Sequence, residues 1–317
     1  GYAPFTSIYR YIAIKALEKD ARPVVLVKGR QVGATTMAGA LELYFGCSGL
    51  FGNSGRPPIR ILHCFPLMDI SQKYTKSKLN TMISGAKPDP TVGEGKNGKR
   101  KSYVETRFDP DSPSNNSVAY KKFKGGNEVF IEYTGLTGDR LRSLTVDVLL
   151  VDEMQDSSSV ALSNITKSLT KAQYGPSGSS KHKGVQVFFG TPKQKGTDYY
   201  KLWMSSNRQY YHLGCEKCKQ TFPFYSPGSN DWEKIWVREF IVECPHCQFQ
   251  QDKFEAAERG KWVASNPDGE IVGFHINQLY TPGNSKEYII SQKPENHPTN
   301  TERAWQNEIL GEFYFGD

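Results

Sequence analysis

Apolar residues along this chain fall into short runs separated by longer polar segments. Val24 to Val27 predicts a short buried strand leading into Lys28, and Thr35 to Tyr44 reads as the helix after a glycine turn. Upstream, Ile8, Ile12 and Leu17 share one side of a helix that Thr6 or Ser7 can cap. That helix is expected to run to about Lys19 and to end at Ala21-Arg22-Pro23. Ile59 to Phe65 predicts a second apolar strand and Asp69 to Ile83 a polar-faced helix. Ser84 to Asn116 is rich in Gly, Pro, Lys and Ser and predicts loop. Glu128 to Tyr133 alternates like a strand. Val146 to Val151 is apolar except for Asp147, close to the mark of a strand buried on both faces. Gly175 to Gly184 is another Gly/Ser loop, and Val185 to Phe189 a further buried strand. Strands alternating with helices argue for a parallel sheet in an α/β layer fold.

The pattern changes at about Tyr210. From there to Gln251 come four cysteines, scattered aromatics and short alternating segments, the composition of a small insertion. Beyond it, Asp252 to Trp262 reads as helical, Ile271 to Asn277 as a strand and Thr301 to Leu310 as helical. No internal repeat is present.

At 317 residues the chain is long enough for one large domain, or a large and a small one. A mean hydropathy of −0.57 fits long polar loops. No run approaches the roughly 18 apolar residues of a membrane span. The start, Gly1-Tyr2-Ala3-Pro4, has no signal pattern and no methionine, so an excised fragment of an intracellular protein is expected, with reduced thiols. A net charge of +7 permits nucleic-acid binding without requiring it. Three basic runs, Lys96 to Lys101, Lys121 to Lys124 and Lys181 to Lys183, have Gly or Ser close by, so their charges are expected on loops that can reach a phosphate backbone or simply face water.

The chemistry begins at Lys28-Gly29-Arg30-Gln31-Val32-Gly33-Ala34-Thr35-Thr36. Against the phosphate-loop pattern G-x-x-x-x-G-K-[ST], Ala34 stands where the lysine belongs and Lys28 where the first glycine belongs. Backbone N–H groups of such a loop, with a helix N-terminus behind them, cradle phosphate oxygens. The Thr35 hydroxyl can ligand Mg²⁺, and Lys28 or Arg30 can supply the missing positive charge. Asp152-Glu153 follows a buried strand and would emerge at the carboxyl edge of the sheet, where ligands of open α/β sheets bind. Asp152 can hold Mg²⁺ through water, and Glu153 can act as general base on the attacking water. The bland alternatives are a ligand-free glycine turn and an acid pair that caps a helix. Gly190-Thr191-Pro192, after another apolar strand, puts a hydroxyl at the same edge. Arg140 and Arg142 are candidate arginine fingers or ordinary surface arginines.

Cys215-x-x-Cys218 and Cys244-x-x-Cys247 form a doubled CxxC array with about 25 residues between the pairs. Two such turns complete a tetrahedral S₄ site that selects Zn²⁺ and leaves no open position, so the metal is expected to be structural. His246 is not expected as a ligand, and Cys47 and Cys64 read as ordinary buried thiols.

Taken together, and in this order along the chain, these motifs resemble the large terminase subunit of tailed bacteriophages, in its zinc-insertion, lambda-like branch. The resemblance runs from Lys28–Thr36 through Leu141-Arg142-Ser143, Val148 to Glu153, Gly190-Thr191-Pro192 with Lys195-Gly196, and Arg208-Gln209-Tyr210-Tyr211. It closes with Gly260-Lys261-Trp262, Gly273-Phe274-His275 and Asn307 to Glu312. It implies a RecA-like P-loop (ASCE) NTPase: an ATP-hydrolysing, Mg²⁺-dependent motor that moves double-stranded DNA into a procapsid. Such a motor would work in the host cytoplasm with the small terminase subunit, as a ring on a portal, and not at a membrane. In that family the lysine of the loop can stand at its start, which is where Lys28 lies. The resemblance places Thr35 and Asp152 at the magnesium positions, Glu153 at the catalytic position, Thr191 in the coupling motif and Arg142 at a family arginine. The expected organisation is a P-loop core over 1–209, a zinc ribbon over 210–251 and a lid or linker region over 252–317, with the family's nuclease half absent. Two other readings stay open: a helicase-like or remodelling DNA-dependent ATPase, and a zinc-ribbon nucleic-acid-binding protein whose nucleotide fold is inactive.

Overall fold

The computed structural model describes residues 3–15, 17–19, 21–52, 55–94, 99–111, 113–176 and 181–316. Lys96, Asn97 and Gly98 of the first basic run, residues 177–180 of the second Gly/Ser loop, and Gly1 and Tyr2 lie outside the described residues. The strands are β1 (Val24–Lys28), β2 (Arg60–Phe65), β3 (Tyr120–Lys122), β4 (Glu128–Tyr133), β5 (Val148–Val151), β6 (Val185–Gly190) and β7 (Gln209–Gly214). They continue as β8 (Thr221–Pro223), β9 (Trp236–Arg238), β10 (Ile241–Glu243), β11 (Gln250–Asp252), β12 (Lys261–Ala264) and β13 (Val272–Ile276). The two longest helices are α1 (Ala3–Lys15) and α2 (Ala34–Cys47). The fold is mixed α/β on a mostly parallel central sheet, as the alternation of apolar strands and helices predicts.

The chain forms two compact units. One comprises residues 11–23 and 35–188. In it β2 pairs in parallel with both β4 and β5, and β5 in parallel with β6, while β3 lies antiparallel on β4. Every residue of β5 and β6 is buried, which accounts for their largely apolar sequences; the polar Gln186 of β6 donates its Nε2 to the Lys183 carbonyl. Asp147, the polar residue of the predicted run Val146 to Val151, is fully buried just before β5 and accepts hydrogen bonds from the Arg60 and Gln173 backbone N–H groups. Burial nonetheless pushes its carboxyl above the usual carboxylate range. Helix α2 turns Met37, Ala38, Leu41 and Phe45 inward at helical spacing.

The other unit comprises residues 1–10, 24–34 and 189–317. Its sheet pairs β1 with β13 and β13 with β7 in parallel, and β12 and β8 lie antiparallel on β7. A separate antiparallel sheet of β9, β10 and β11 carries the second half of the cysteine-rich segment.

Several local expectations shift. Helix α1 begins at Ala3 and ends at Lys15, so Ser7 is inside it and donates its hydroxyl back to the Ala3 and Pro4 carbonyls instead of capping. The segment 252–262 is a short helix, Lys253–Glu258, followed by β12. The Asp252 carboxylate caps that helix through the N–H groups of Phe254 and Glu255, and Trp262 and Val263 pair with Tyr211 and Tyr210 of β7. Aromatic and β-branched residues gain more from that cross-strand pairing than from a helix. The polar-faced helix at 68–85 has six π-helical residues, Tyr74–Leu79, in its middle.

The second basic run is not a loop of free charges. Lys121 lies in β3, is fully buried, and donates to the Asn80 and Asn116 side chains and the Ser117 carbonyl. Burial lowers its pKa to about 8. Lys122 pairs with Asp109 at 3.2 Å, which leaves Lys124 as the exposed lysine of the run.

Candidate nucleotide and metal sites

Strand β1 delivers Lys28 to the start of the loop, where its side chain is buried and its Nζ donates to Thr191 Oγ1 at 3.3 Å. Thr191 is the first residue after β6. Both residues therefore emerge at the carboxyl ends of strands in parallel pairs, and the fold brings together two residues 163 apart in sequence. Gln31 and Gly33 take positive φ angles of 57° and 96°, and Val32 between them does not. That alternation is the backbone pattern of an anion-binding nest. At Gly33 a side chain would strain the turn; at Gly29 the constraint is space, since a Cβ would lie 2.9 Å from the Ile309 carbonyl oxygen.

The segment 305–312 packs against the loop. The Arg30 N–H donates to the Glu308 carbonyl at 2.6 Å, and its guanidinium forms an exposed ion pair with the Glu308 carboxylate at 3.0 Å. Of the two cations offered as replacement for the missing lysine, Arg30 thus points to Glu308 and Lys28 to Thr191. Ala34 begins α2, with Thr35 half-buried and Thr36 exposed in its first turn.

In the other unit Asp152 follows β5, 1% exposed. Its Oδ1 accepts the Glu153 N–H at 2.8 Å. Glu153 is half-buried in the left-handed region, φ 50°, ψ 47°, a conformation that costs a non-glycine residue on the order of 1 kcal/mol or more and clusters at functional sites. Its Oε2 accepts from Gln155 Nε2 at 2.5 Å. A threonine hydroxyl and an aspartate carboxylate are hard oxygen donors, the set that suits Mg²⁺. Arg142 is exposed and pairs with Asp139 at 2.8 Å. Arg140 stacks over Tyr133 and pairs with Glu132 at 3.0 Å.

The cysteine prediction resolves into two matching turns. Cys215 follows β7 and Cys244 follows β10. In each turn the residue four places on, Lys219 or Gln248, has φ near 60° and donates its N–H to the first cysteine's carbonyl. All four sulfurs lie within 4.8 Å of one another, with Cys215–Cys247 at 3.6 Å and Cys218–Cys244 at 3.7 Å. A zinc tetrahedron with Zn–S near 2.3 Å requires sulfurs about 3.8 Å apart, so the four fit the ion, and they are too far apart for disulfides. They are the one such cluster among the described residues. Cys47 and Cys64 stand apart from it, and burial pushes both thiols up, Cys47 to about 12.

The sequence reading missed three features of these sites: the left-handed backbone at Gln31 and Glu153, the clasp by Glu308, and two buried polar residues behind Asp152, Glu42 and His63. His63 did carry a signal, as a polar residue inside the apolar run of β2.

No helix among the described residues is long and apolar enough to cross a membrane. No curated protein sequence matches the chain. Among solved structures, the large terminase ATPase domain of Thermus phage P74-26 is similar with a TM-score of 0.48 and 14% identity, over 96% of this chain and 93% of that one. An arginine-to-alanine mutant of the same domain gives 0.47 and 15%, over 93% and 90%. The sequence model of the phage terminase large subunit gpA ATPase domain matches residues 9–262, and this chain belongs to that family.

Proposed function

We propose that this chain is the ATP-hydrolysing part of a motor that drives double-stranded viral DNA into a procapsid. The observation that carries the reading is the meeting of Lys28, at the start of the glycine loop, with Thr191 at the strand ends, 3.3 Å apart. Lys28 would neutralise phosphate charge in place of Ala34, while the loop backbone from Gly29 to Gly33 donates N–H groups to phosphate oxygens. Thr35 and Asp152 would hold Mg²⁺, which when bound neutralises charge on the phosphates. Glu153 takes a proton from the attacking water. Its backbone is left-handed, and Gln155 donates to one of its carboxylate oxygens. Because Thr191 shares a hydrogen bond with Lys28, a change in the charge that Lys28 faces after hydrolysis reaches the segment following β6. Arg142, exposed and paired with the exposed Asp139, would serve as a finger toward a neighbouring subunit.

The zinc cluster would fix the insertion that leads back into the loop's own clasp. Tyr225 and the Gly228 N–H both bond to the Glu312 carboxylate, four residues beyond Glu308. The partners are double-stranded DNA, further copies of the chain, a portal and a small terminase subunit, at the procapsid in the host cytoplasm. DNA would be gripped through its phosphates, with strong salt dependence. ATP turnover stimulated by linear double-stranded DNA and abolished in Glu153→Ala tests the reading; turnover that survives that substitution contradicts it.

A further inference from the structure

Behind Asp152 lies a chain of buried polar groups that the reading above leaves unused. His63 on β2 and Glu42 on α2 are both 0% exposed, and His63 Nδ1 is hydrogen-bonded to Glu42 Oε1. The other Glu42 oxygen accepts the Tyr74 hydroxyl at 2.9 Å. On its opposite edge the imidazole presents Nε2 to Asp152 Oδ2 at 4.0 Å, a separation that a small rotation or one bridging water spans. Tyr74 begins the π-helical stretch Tyr74–Leu79, a distortion that recurs at functional sites. Phe65 packs against both the imidazole and the Tyr74 ring, at 4.3 and 5.0 Å between centroids, which confines both rings to small rotations.

Burying such a group of polar side chains adds little stability over well-packed apolar residues of the same volume. Its placement has another consequence. Glu42 is seven residues after Thr35 on α2, about two turns on and therefore on the same face. One helix and one imidazole thus lie between the Thr35 hydroxyl and the Asp152 carboxylate, with the single 4.0 Å gap at Asp152. Asp152 is held on Oδ1 by the Glu153 N–H, and Oδ2 faces His63 Nε2 across 4.0 Å.

We propose that Glu42 and His63 are positioning residues for Mg²⁺: a buried strut that sets the orientation of the Asp152 carboxylate relative to Thr35. The proposal rests on the reading of Thr35 and Asp152 as the magnesium ligands. Groups behind a metal ligand fix its orientation, and losing them typically lowers metal affinity about 10–100-fold.

The experiment is a Mg²⁺ titration of fluorescent ATP-analogue binding to the full chain, with binding in EDTA and the thermal melt recorded for each variant. An Asn side chain reproduces the His63 Nδ1 position, facing Glu42; a Gln side chain reproduces Nε2, facing Asp152. The strut predicts that His63→Asn raises the Mg²⁺ half-saturation about 10-fold or more while EDTA binding stays at wild type, and that His63→Gln recovers part of the loss. Glu42→Gln, which keeps the shape and the acceptor for Tyr74, should raise the half-saturation by a smaller factor, and it remains informative should a His63 variant fail to fold. A folded His63→Asn or Glu42→Gln protein with wild-type Mg²⁺ dependence overturns the strut. Asp152→Asn separates the two levels: if it shifts the Mg²⁺ dependence and the strut variants do not, only the strut fails. If Asp152→Asn shifts nothing, the magnesium assignment itself fails and the strut with it.

Discussion

At the scale of single residues, the central question is which cation replaces the lysine that Ala34 displaces. Lys28 is buried and hydrogen-bonded to Thr191, whereas Arg30 is exposed and paired with Glu308. A charge-assisted hydrogen bond from a buried cation contributes about 1.5–3 kcal/mol, an exposed ion pair about 0–1. Lys28→Ala is therefore expected to weaken ATP binding about 10-fold or more, and Arg30→Ala by less than about 5-fold. Equilibrium binding of labelled ATP checks the order, and the reverse order would give the role to Arg30. Glu153→Ala should lower kcat by about 10²–10⁴ with ATP binding retained, as expected for loss of a general base. The sequence showed Lys28, Thr35, Asp152, Glu153 and Thr191 as candidates because each sits at a fixed offset from an apolar strand. It did not show the Lys28–Thr191 contact, which depends on pairing between distant strands, nor the backbone of Glu153, since no glycine marks that left-handed position.

At the scale of elements, strands were more legible than helix ends. Runs such as Val24–Val27 and Val187–Phe189 lie in strands buried on both faces and read directly as apolar sequence. The boundary at 252–262 was not legible, because the gain of Trp262 and Val263 comes from β7, some fifty residues earlier. The cysteine spacing was legible in full, since one metal demands one geometry. Chelation should accordingly unfold the insertion. Metal analysis is expected to find one Zn²⁺ per chain, and its removal to lower the melting temperature; a zinc-free, folded protein would remove the S₄ assignment. The strand β13 makes a second prediction. His275 is buried near its carboxyl end, stacked on Tyr225 at 5.2 Å between centroids, with Nε2 on the Gly311 carbonyl and no hydrogen-bond partner for Nδ1 among the described residues. Burial lowers its pKa to about 4, against about 6.5 unfolded. Between those values the unfolded chain binds the extra proton, so stability falls as pH drops from about 6.5 to about 4, by about 3 kcal/mol in all. Denaturant titrations of wild type and His275→Phe at pH 7 and pH 4.5 check this. Wild type should lose more stability than His275→Phe between the two pH values, and because both lose zinc alike, that term cancels.

At the scale of the whole chain, net charge said less than its distribution. The +7 balance permits DNA binding, yet Lys121 is buried and Lys122 is paired with Asp109. The first two lysines of the run Lys121 to Lys124 lie in β3, where pairing with β4 buries Lys121 and leaves Lys122 half-exposed. The fold class was legible because alternating apolar strands and helices admit few arrangements other than a parallel sheet. The division into two compact units was not, because each collects segments far apart in sequence. If the chain works in a ring and Arg142 completes a neighbour's site, specific activity should rise with protein concentration, and Arg142→Ala should lose that rise while still binding ATP. The measurement that tests the central claim most directly is steady-state ATP hydrolysis by the full chain, with Mg²⁺, with and without linear double-stranded DNA, beside Glu153→Ala. The account predicts turnover that DNA stimulates and that disappears in the mutant. Equal turnover in the two proteins, or binding of neither ATP nor DNA by the folded wild type, would contradict it.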